Sequence, residues 1–201
     1  MMGTIFSLLE RIVYRLLFFP IYKIRLGSIG RGSRLRRPML SGASRIFIGK
    51  NVYIRNNGWL AAEPVTGESQ CRLTIGDGTY VGNACHFFAS SSIEIGKKVL
   101  FADKVYVSDN VHSFEDPTIP VIDQPVRQLN KVKIDDGAWI GENVCIIGAS
   151  VGKNSVVGAN SVVNKDIPDY CVAVGAPAKI IKRYDFENKS WKKTDPQGNF
   201  I

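Results

Sequence analysis

The side chains best suited to acid–base chemistry in this chain are its two histidines, His86 and His112. An imidazole titrates near neutral pH and can both take up and return a proton. His112 stands in the polar stretch YVSDNVHSFEDP, residues 106–117, and His86 stands in GNACHFFAS, residues 82–90. A metal site is a poor interpretation, because only these two histidines could supply imidazole ligands. The cysteines lie far apart and form no CxxC pair.

The composition is that of one folded domain of 201 residues, with 45% hydrophobic and 22% charged residues. The four cysteines stand among apolar or small neighbours, which indicates reduced, mostly packed thiols in a cytoplasmic protein. The net charge of +8 belongs to the N-terminal region. Residues 1–60 contain 11 Lys and Arg against one acid, Glu10, whereas the remaining residues contain 15 against 17 acids.

The N-terminal region predicts an amphipathic helix followed by a basic linker. Apolar residues from Ile5 to Leu17 follow helical spacing, and Pro20 should end or kink the helix. The segment is too short to span a bilayer and lacks a signal-peptide cleavage site. Two interpretations stay open: a helix packed on the protein or a neighbouring subunit, and peripheral membrane contact through residues 1–37. The arginines that would assist membrane contact are Arg31, Arg34, Arg36 and Arg37. Nucleic-acid binding is disfavoured, because the basic cluster lacks interleaved aromatic residues.

From residue 46 onward, apolar residues recur every six positions. The repeated positions are Ile48, Ile54 and Leu60; Ile75, Val81 and Phe87; Ile95, Phe101 and Val107; Ile134, Ile140 and Ile146; and Val151, Val157 and Val163. A period of six suits very short parallel strands joined by tight turns and stacked as a solenoid. The pattern leaves the hand of this parallel β-helix open, although the rule for parallel crossovers favours a right-handed coil.

The two histidines relate differently to this repeat. His86 directly precedes the repeat position Phe87, so we expect it to point out of a coil face. His112 lies in an excursion between Val107 and Ile134, where the repeat stops. A loop that leaves a rigid coil can hold a side chain in place while reaching away from the coil.

The segment NSVVGANSVVNKDIPDYCVAVGAPAKII, residues 154–181, closes the repeat. Together with the repeat it closely resembles the hexapeptide-repeat acyltransferases, and within them the galactoside and maltose acetyltransferases and the polysaccharide O-acetyltransferases. The tail YDFENKSWKK, residues 184–193, resembles the end of the polysaccharide-modifying branch.

The resemblance implies an all-β solenoid: a left-handed parallel β-helix with an N-terminal helix, an excursion loop and a short C-terminal extension. It implies a homotrimer with active sites between neighbouring coils, acetyl-CoA as donor, a sugar hydroxyl as acceptor and no metal. The expected divisions are the helix and basic linker at residues 1–44, the acyltransferase domain at 45–183 with its loop at 108–133, and a tail at 184–201.

The resemblance also assigns His112 as the general base, 16 residues after Gly96 as the family pattern expects. The imidazole would activate the acceptor hydroxyl for direct transfer, without a covalent enzyme intermediate. Its orienting partner stays open among Asp109, Glu115 and a backbone carbonyl. Asn83 and Asp109 are expected to bind the acceptor, because amides and carboxylates form hydrogen bonds with sugar hydroxyls.

The expected acetyl-CoA site lies on the later turns of the coil. Trp139 matches a tryptophan frequent in the subgroup and could wall the thioester end, or it could be a corner aromatic that only covers the core. Gly141 is expected to contact the cofactor. Glu142 stands where many relatives have a small hydroxyl residue, and a backbone N–H could still stabilise the oxyanion there. The remaining candidates for coenzyme A are Ala159, Asn160, Asn164, Lys165 and Arg183.

These expectations lead to a cytoplasmic sugar O-acetyltransferase of surface polysaccharide biosynthesis, with peripheral contact to the inner face of the membrane. One alternative is N-acetylation of an amino sugar or sugar nucleotide on the same scaffold. The other is a non-catalytic β-helix that acts as an assembly scaffold.

Overall fold

The computed structural model describes Glu10 and residues 12–201, which form mostly short parallel strands with one short α-helix. The helical segments are a π-helical turn at Tyr14–Phe18, the helix α1 at Phe19–Arg25, and 3-10 turns at Ala43–Arg45 and Val121–Asp123. The strands are β1 (Ser28–Ile29), β2 (Arg34–Leu35), β3 (Met39–Ser41), β4 (Ile46–Ile48), β5 (Tyr53–Ile54), β6 (Trp59–Ala62), β7 (Arg72–Ile75), β8 (Tyr80–Val81), β9 (His86–Ala89), β10 (Ser92–Ile95), β11 (Leu100–Phe101), β12 (Tyr106–Ser108), β13 (Asn110–His112), β14 (Val126–Gln128), β15 (Val132–Ile134), β16 (Trp139–Ile140), β17 (Cys145–Ile147), β18 (Val156–Val157), β19 (Val162–Val163), β20 (Cys171–Val174), β21 (Lys179–Asp185) and β22 (Ser190–Lys193).

The chain visits three parallel sheets in turn. The first sheet has the order β1-β4-β7-β10-β15, the second runs β2-β5-β8-β11-β16-β18-β20, and the third runs β3-β6-β9-β12-β17-β19. Strands β1 to β9 each pair with the strand three places later, so the chain winds as a three-sided coil. This arrangement confirms the short parallel strands that the six-residue period predicts.

The repeated apolar residues form the core of the coil. Pairing in the second sheet places one residue of each turn in a single inward row, here called the inward ladder, and every member is fully buried. These residues are Ile54, Val81, Phe101, Ile140 and Val157. Phe101 meets Phe87 of the third sheet with 5.0 Å between ring centroids. Close packing of such ladders removes apolar surface from water on every turn, which is the main favourable contribution to folding.

Tight corners between the sheets need residues that tolerate left-handed backbone. Asn143 and Asn160 occupy equivalent corners on successive turns, with φ of 58° and 59°. Gly141 lies so close to the next turn that an added Cβ would sit 2.6 Å from the backbone nitrogen of Ala159. The Gly and Asn residues that follow the repeat positions therefore serve the turns of the coil.

The coil begins before residue 45, which is the boundary that we predicted for it. Strands β1, β2 and β3 pair in parallel with β4, β5 and β6, so residues 28–41 form a complete first turn. Ile29 and Leu35 stand six apart, as the repeat requires, and Leu35 is buried. The basic residues between them obscure this turn in the sequence, because they supply the exposed positions.

Antiparallel strands close the other end of the coil. β20 pairs with β21, and β21 pairs with β22. β21 continues through residue 183, where we predicted the tail to begin at 184, and β22 extends the second sheet by one more strand. The connection that leaves the coil spans residues 109–131, because β12 ends at Ser108 and β15 begins at Val132. The predicted loop at 108–133 therefore includes one strand residue at its start and two at its end.

Strand β11 offers a direct test of the inward ladder, because Phe101 is fully buried and its neighbour Leu100 is 45% exposed. We expect Phe101→Ala to lower the free energy of unfolding by about 3–5 kcal/mol, since it leaves a cavity in the coil. Leu100→Ala, the matched control, should cost less than about 1 kcal/mol. Denaturant titration at equal protein concentration measures both, and equal losses would contradict the inward orientation of the ladder.

Candidate active site

His112 lies on a hairpin that leaves the coil after β12. Strands β13 and β14 pair antiparallel, with Asn110 opposite Gln128 and His112 opposite Val126. The His112 side chain is exposed at the end of β13. The excursion thus contains an ordered hairpin, which fixes the backbone of His112 beside the coil.

The hairpin and the outer face of the third sheet enclose a cleft of about 520 Å³. His112 and Val126 line it from the hairpin, while Trp59, His86 and Tyr106 line it from the sheet. The cleft is mostly apolar, with an exposed imidazole at one side. Pockets for small molecules have this character, in which apolar walls surround a few placed polar groups.

Three aromatic side chains form a continuous wall of this cleft. Parallel register places Trp59 beside His86, and His86 beside Tyr106, on the outer face of β6, β9 and β12. The rings of Trp59 and His86 stack with centroids 4.2 Å apart and planes 7° apart, and Tyr106 meets His86 edge-on at 5.2 Å. The Trp59 indole N–H donates to the Ser41 hydroxyl at 3.1 Å, which fixes the orientation of the indole ring.

His86 points out of a coil face, as its place before Phe87 predicts. Burial against its aromatic neighbours lowers the pKa of the imidazole below its usual value, so the ring is neutral at neutral pH. Its Nε2 atom is buried without a hydrogen-bond partner among the described residues. Sequence reasoning missed Trp59 and Tyr106, although each stands one place before a repeat position, as His86 does.

The position of Asp109 does not fit the role that we predicted for it, which is binding of the sugar acceptor. The side chain is fully buried, and its carboxylate accepts backbone N–H bonds from Ser90, Ser91 and Ser92 at 2.7 to 2.8 Å. The Asn110 amide also donates to it at 3.0 Å. Because both carboxylate oxygens accept hydrogen bonds inside the protein, the side chain cannot reach a sugar acceptor in the cleft.

The backbone carbonyl of Asp109 also ties the hairpin to the coil. It accepts the Leu129 N–H at 2.8 Å and the Gln128 side-chain amide at 2.7 Å. The Thr66 hydroxyl donates to the same Gln128 side chain at 2.7 Å. Asp109 therefore anchors the root of the hairpin that carries His112, which makes it a positioning residue.

Glu115 and Asn83 also face partners other than those we predicted. Glu115 pairs with Arg127 at 3.6 Å and accepts the Phe114 N–H, and that hydrogen bond lowers the pKa of the carboxyl. Within the described residues, neither Glu115 nor Asp109 bonds to the imidazole of His112. Asn83 lies at a corner outside the cleft, where its amide donates to Asp103 at 2.9 Å.

Four of the residues proposed for coenzyme A lie together where β16 and β18 leave the second sheet. Trp139, on the outer face of β16, is 50% exposed, so it does not cover the core. Gly141 donates its N–H to the Val157 carbonyl at 2.8 Å, which leaves that N–H unavailable for an oxyanion. Ala159 and Asn160 occupy the corresponding corner of the next turn.

The other cofactor candidates lie elsewhere on the coil. Asn164 and Lys165 follow β19 at the next corner, and Arg183 lies on β21 opposite Cys171. None of these candidates lines the cleft that His112 lines. Cys71, Cys85 and Cys171 are buried, and burial raises the pKa of the first two thiols to about 11. The part of the chain that the structure describes contains no group of three or more His, Cys, Asp or Glu side chains placed to hold a metal ion.

Comparison with known proteins places this geometry in a family. Residues 131–165 match the family model described as hexapeptide repeat of succinyl-transferase. The chain is 37% identical over 158 residues to the putative lipopolysaccharide biosynthesis O-acetyl transferase WbbJ of Escherichia coli K12, over 70% of this chain and 80% of that protein. It is 32% identical over 136 residues to galactoside O-acetyltransferase of the same strain, over 59% of this chain and 67% of that protein.

Solved structures share the fold. AntD, an N-acyltransferase from Bacillus cereus solved with dTDP and 3-hydroxybutyryl-CoA, superposes with a TM-score of 0.70 at 22% identity, over 84% of this chain and 89% of its own. A maltose O-acetyltransferase from Clostridium difficile 630 superposes with a TM-score of 0.58 at 28% identity, over 83% and 74% of the two chains.

The anchoring role of Asp109 predicts a stability effect. Asp109→Asn replaces an acceptor-only carboxylate by an amide whose NH2 group would face backbone N–H donors. We expect the free energy of unfolding to fall by about 1.5–3 kcal/mol and the hairpin to become more susceptible to proteolysis. Asp123→Asn, an exposed carboxylate on the same loop, is the control and should change neither measurement. Equal behaviour of the two variants would show that the hairpin does not depend on the Asp109 anchor.

Proposed function

Because the chain belongs to the hexapeptide-repeat acyltransferases, we propose that it transfers an acetyl group from acetyl-CoA to a sugar hydroxyl in surface polysaccharide biosynthesis. The observation that carries this proposal is the exposed His112 imidazole, held by an ordered hairpin at the side of a cleft with an aromatic wall. The names of two relatives, a putative lipopolysaccharide biosynthesis O-acetyl transferase and a galactoside O-acetyltransferase, support the acceptor class.

In the proposed reaction, neutral His112 accepts the proton of the sugar hydroxyl while the hydroxyl oxygen attacks the thioester carbonyl. The tetrahedral intermediate then expels the thiolate, which takes the proton from the imidazolium and leaves as the free thiol. The new bond is the acetyl ester, and the histidine returns to its neutral form. Since Asp109 and Glu115 have other partners, a backbone carbonyl is the remaining candidate for orienting the imidazole.

We propose that acetyl-CoA binds along the later turns of the coil. Trp139 would wall its thioester end, Ala159 and Asn160 would allow close approach of the pantetheine arm, and the charged groups of Lys165 and Arg183 would meet the phosphates. The N–H that stabilises the oxyanion must come from a residue other than Gly141, whose N–H is already bonded.

The proposed assembly is a homotrimer. In a single chain, the cofactor candidates lie outside the cleft that contains His112. A neighbouring coil that presents its second sheet to this cleft would bring donor and base together, as the family resemblance implies. The left-handed sense of the coil belongs to the same proposal, as does an acyltransferase domain that begins with the first turn at residue 28 rather than at residue 45. So does peripheral contact with the inner face of a membrane through residues 1–37.

The role of His112 predicts a large loss of turnover with intact cofactor binding. We expect His112→Ala to reduce kcat about 10²–10⁴-fold, because general base catalysis typically contributes that much. Acetyl-CoA affinity, measured by calorimetry, should stay unchanged, and Asp123→Ala on the same loop should retain activity. Thiol release is followed with neutral sugars and amino sugars in parallel. Transfer to amines alone would replace O-acetylation by the N-acetyltransferase alternative. Full turnover of His112→Ala would exclude His112 as the base, and a wild type that releases no thiol with any acceptor would favour a non-catalytic scaffold.

The aromatic wall of the cleft predicts that its removal changes the KM for the sugar acceptor and leaves the KM for acetyl-CoA unchanged. We expect Trp59→Ala to raise the acceptor KM by about tenfold, since it removes a large apolar contact surface from the cleft. The KM for acetyl-CoA should stay the same. Phe47→Ala removes an outward aromatic side chain from the first sheet, away from both the cleft and the proposed acetyl-CoA face, and serves as the control. If both variants change the two KM values alike, the wall does not bind the acceptor.

A further inference from the structure

The described N-terminal helical segment exposes a continuous apolar face that the proposed transfer reaction does not use. Six aliphatic side chains on it are between 38% and 86% exposed: Ile12, Val13, Leu16, Leu17, Ile21 and Ile24. Leu16 and Ile24 are the most exposed, at 68% and 86%. A soluble monomer rarely leaves so many large aliphatic residues together in water, so this face marks an interaction surface.

The opposite face of the segment is fixed to the first turn of the coil. Tyr14 stacks with Phe18 and with Tyr22, each pair with 6.2 Å between centroids, and Tyr22 is buried. The Leu35 N–H donates to the Tyr14 hydroxyl at 3.1 Å, and burial raises the pKa of Tyr14 to about 12. Because aromatic packing fixes one side of the segment, the aliphatic residues are held outward.

A basic groove borders the same helical segment. It has a volume of about 480 Å³ and lies between the helical segment and the first turn, with Arg15, Arg31 and Arg34 in its lining. Tyr14 and Phe19 supply its aromatic side. Among the described residues, none of the three arginines forms a salt bridge, whereas Arg36 pairs with Glu10 at 3.0 Å. The groove therefore offers three guanidinium groups without carboxylate partners.

We propose that this groove binds the phosphate of an anionic phospholipid while the apolar face of the helical segment lies in the same membrane surface. Guanidinium groups bond phosphate oxygens in a planar, bidentate manner, which fits the groove. A helix with an aliphatic face and flanking arginines binds in the plane of the interface, at the depth where headgroups meet acyl chains. None of the described helices is long and apolar enough to cross a membrane, and in-plane binding requires no crossing.

Charge complementarity distinguishes this occupant from a second copy of the chain. A second copy that met this face with its own N-terminal region would bring an equally basic surface to the same place, and the two sets of arginines would repel each other. The rest of a second copy, residues 61–201, has 15 Lys and Arg against 17 acids and would bring little net negative charge to the arginines. An anionic bilayer satisfies the aliphatic residues and the arginines together. This inference rests on the peripheral membrane contact proposed above, and vesicle binding tests it without turnover, so its failure would leave the proposed acetyl transfer intact.

The experiment is co-sedimentation of the full chain with two kinds of vesicle. One contains phosphatidylcholine alone, and the other contains phosphatidylcholine mixed with phosphatidylglycerol. We expect binding to the mixed vesicles and much weaker binding to the neutral ones. The double variant Leu16→Glu/Ile24→Glu should lose binding to both. Its control is Ile201→Glu, an exposed aliphatic residue at the other end of the chain, which should bind as the wild type does.

A charge-matched pair of variants tests the groove. Arg15→Gln/Arg31→Gln/Arg34→Gln should weaken binding to the mixed vesicles roughly a hundredfold, since each arginine near an anionic surface contributes about a fivefold factor. A control removes three exposed lysines elsewhere, Lys97→Gln/Lys131→Gln/Lys193→Gln, and carries the same net charge. Equal weakening by both triple variants would show that net charge, rather than the groove, determines binding and would overturn the site.

Other outcomes would also overturn the proposal. Wild-type protein that binds neither vesicle excludes a membrane surface. If the Leu16→Glu/Ile24→Glu variant instead lowers the molar mass in sedimentation equilibrium, a second copy covers the face. Binding of soluble glycerol phosphate as tightly as mixed vesicles would assign the groove to a free phosphate compound. Unchanged thermal unfolding of every variant confirms that loss of binding does not reflect loss of fold.

Discussion

Every functional feature of this protein depends on the parallel register between successive turns of the coil. Backbone bonds such as Tyr80 N–H to Val99 O and Leu100 N–H to Ala138 O, both 2.9 Å, fix that register. A slip of one residue would turn the whole inward ladder toward solvent, so burial of residues such as Phe101 prevents it. The same register aligns the outward side chains. Trp59 and His86 stack because the turns that carry them cannot shift relative to each other.

The excursion after β12 is the longest departure of the described chain from this register, and a buried carboxylate compensates for the interruption. Ser90, Ser91 and Ser92 form a corner whose N–H groups point toward the next turn. Asp109 stands where that turn departs from the coil, and its side chain supplies the acceptors that those donors need. A buried carboxylate is stable only when it is well bonded. The hydrogen bonds to Asp109 therefore allow the chain only one position there. That arrangement places the strand carrying His112 against the coil.

The sequence predicts the repetitive part of the fold well and the exceptions poorly, for a physical reason. Inward positions such as Ile140 are recognisable because each must be apolar at a fixed spacing. The first turn escaped prediction because Ile29 stands among basic residues. The hydrogen-bond partners of polar groups cannot be predicted from residue spacing, because the bonds to Asp109 join residues 17 to 19 positions apart. The bonded state of the Gly141 N–H and the corner position of Asn83 likewise follow from neighbouring turns.

A rigid coil also explains how the candidate chemistry is distributed. Side chains on one sheet cannot bend toward those of another, because the shared core holds the three sheets apart. Trp139 faces outward from the second sheet and Trp59 from the third, so a single coil displays donor and acceptor candidates on different faces. This separation supports assembly of the site between copies. The N-terminal segment packs on the first turn, while the cleft begins at Trp59 on the second. The proposed surface contact and the proposed transfer would therefore use neighbouring regions of one rigid body, and neither would require the coil to change shape.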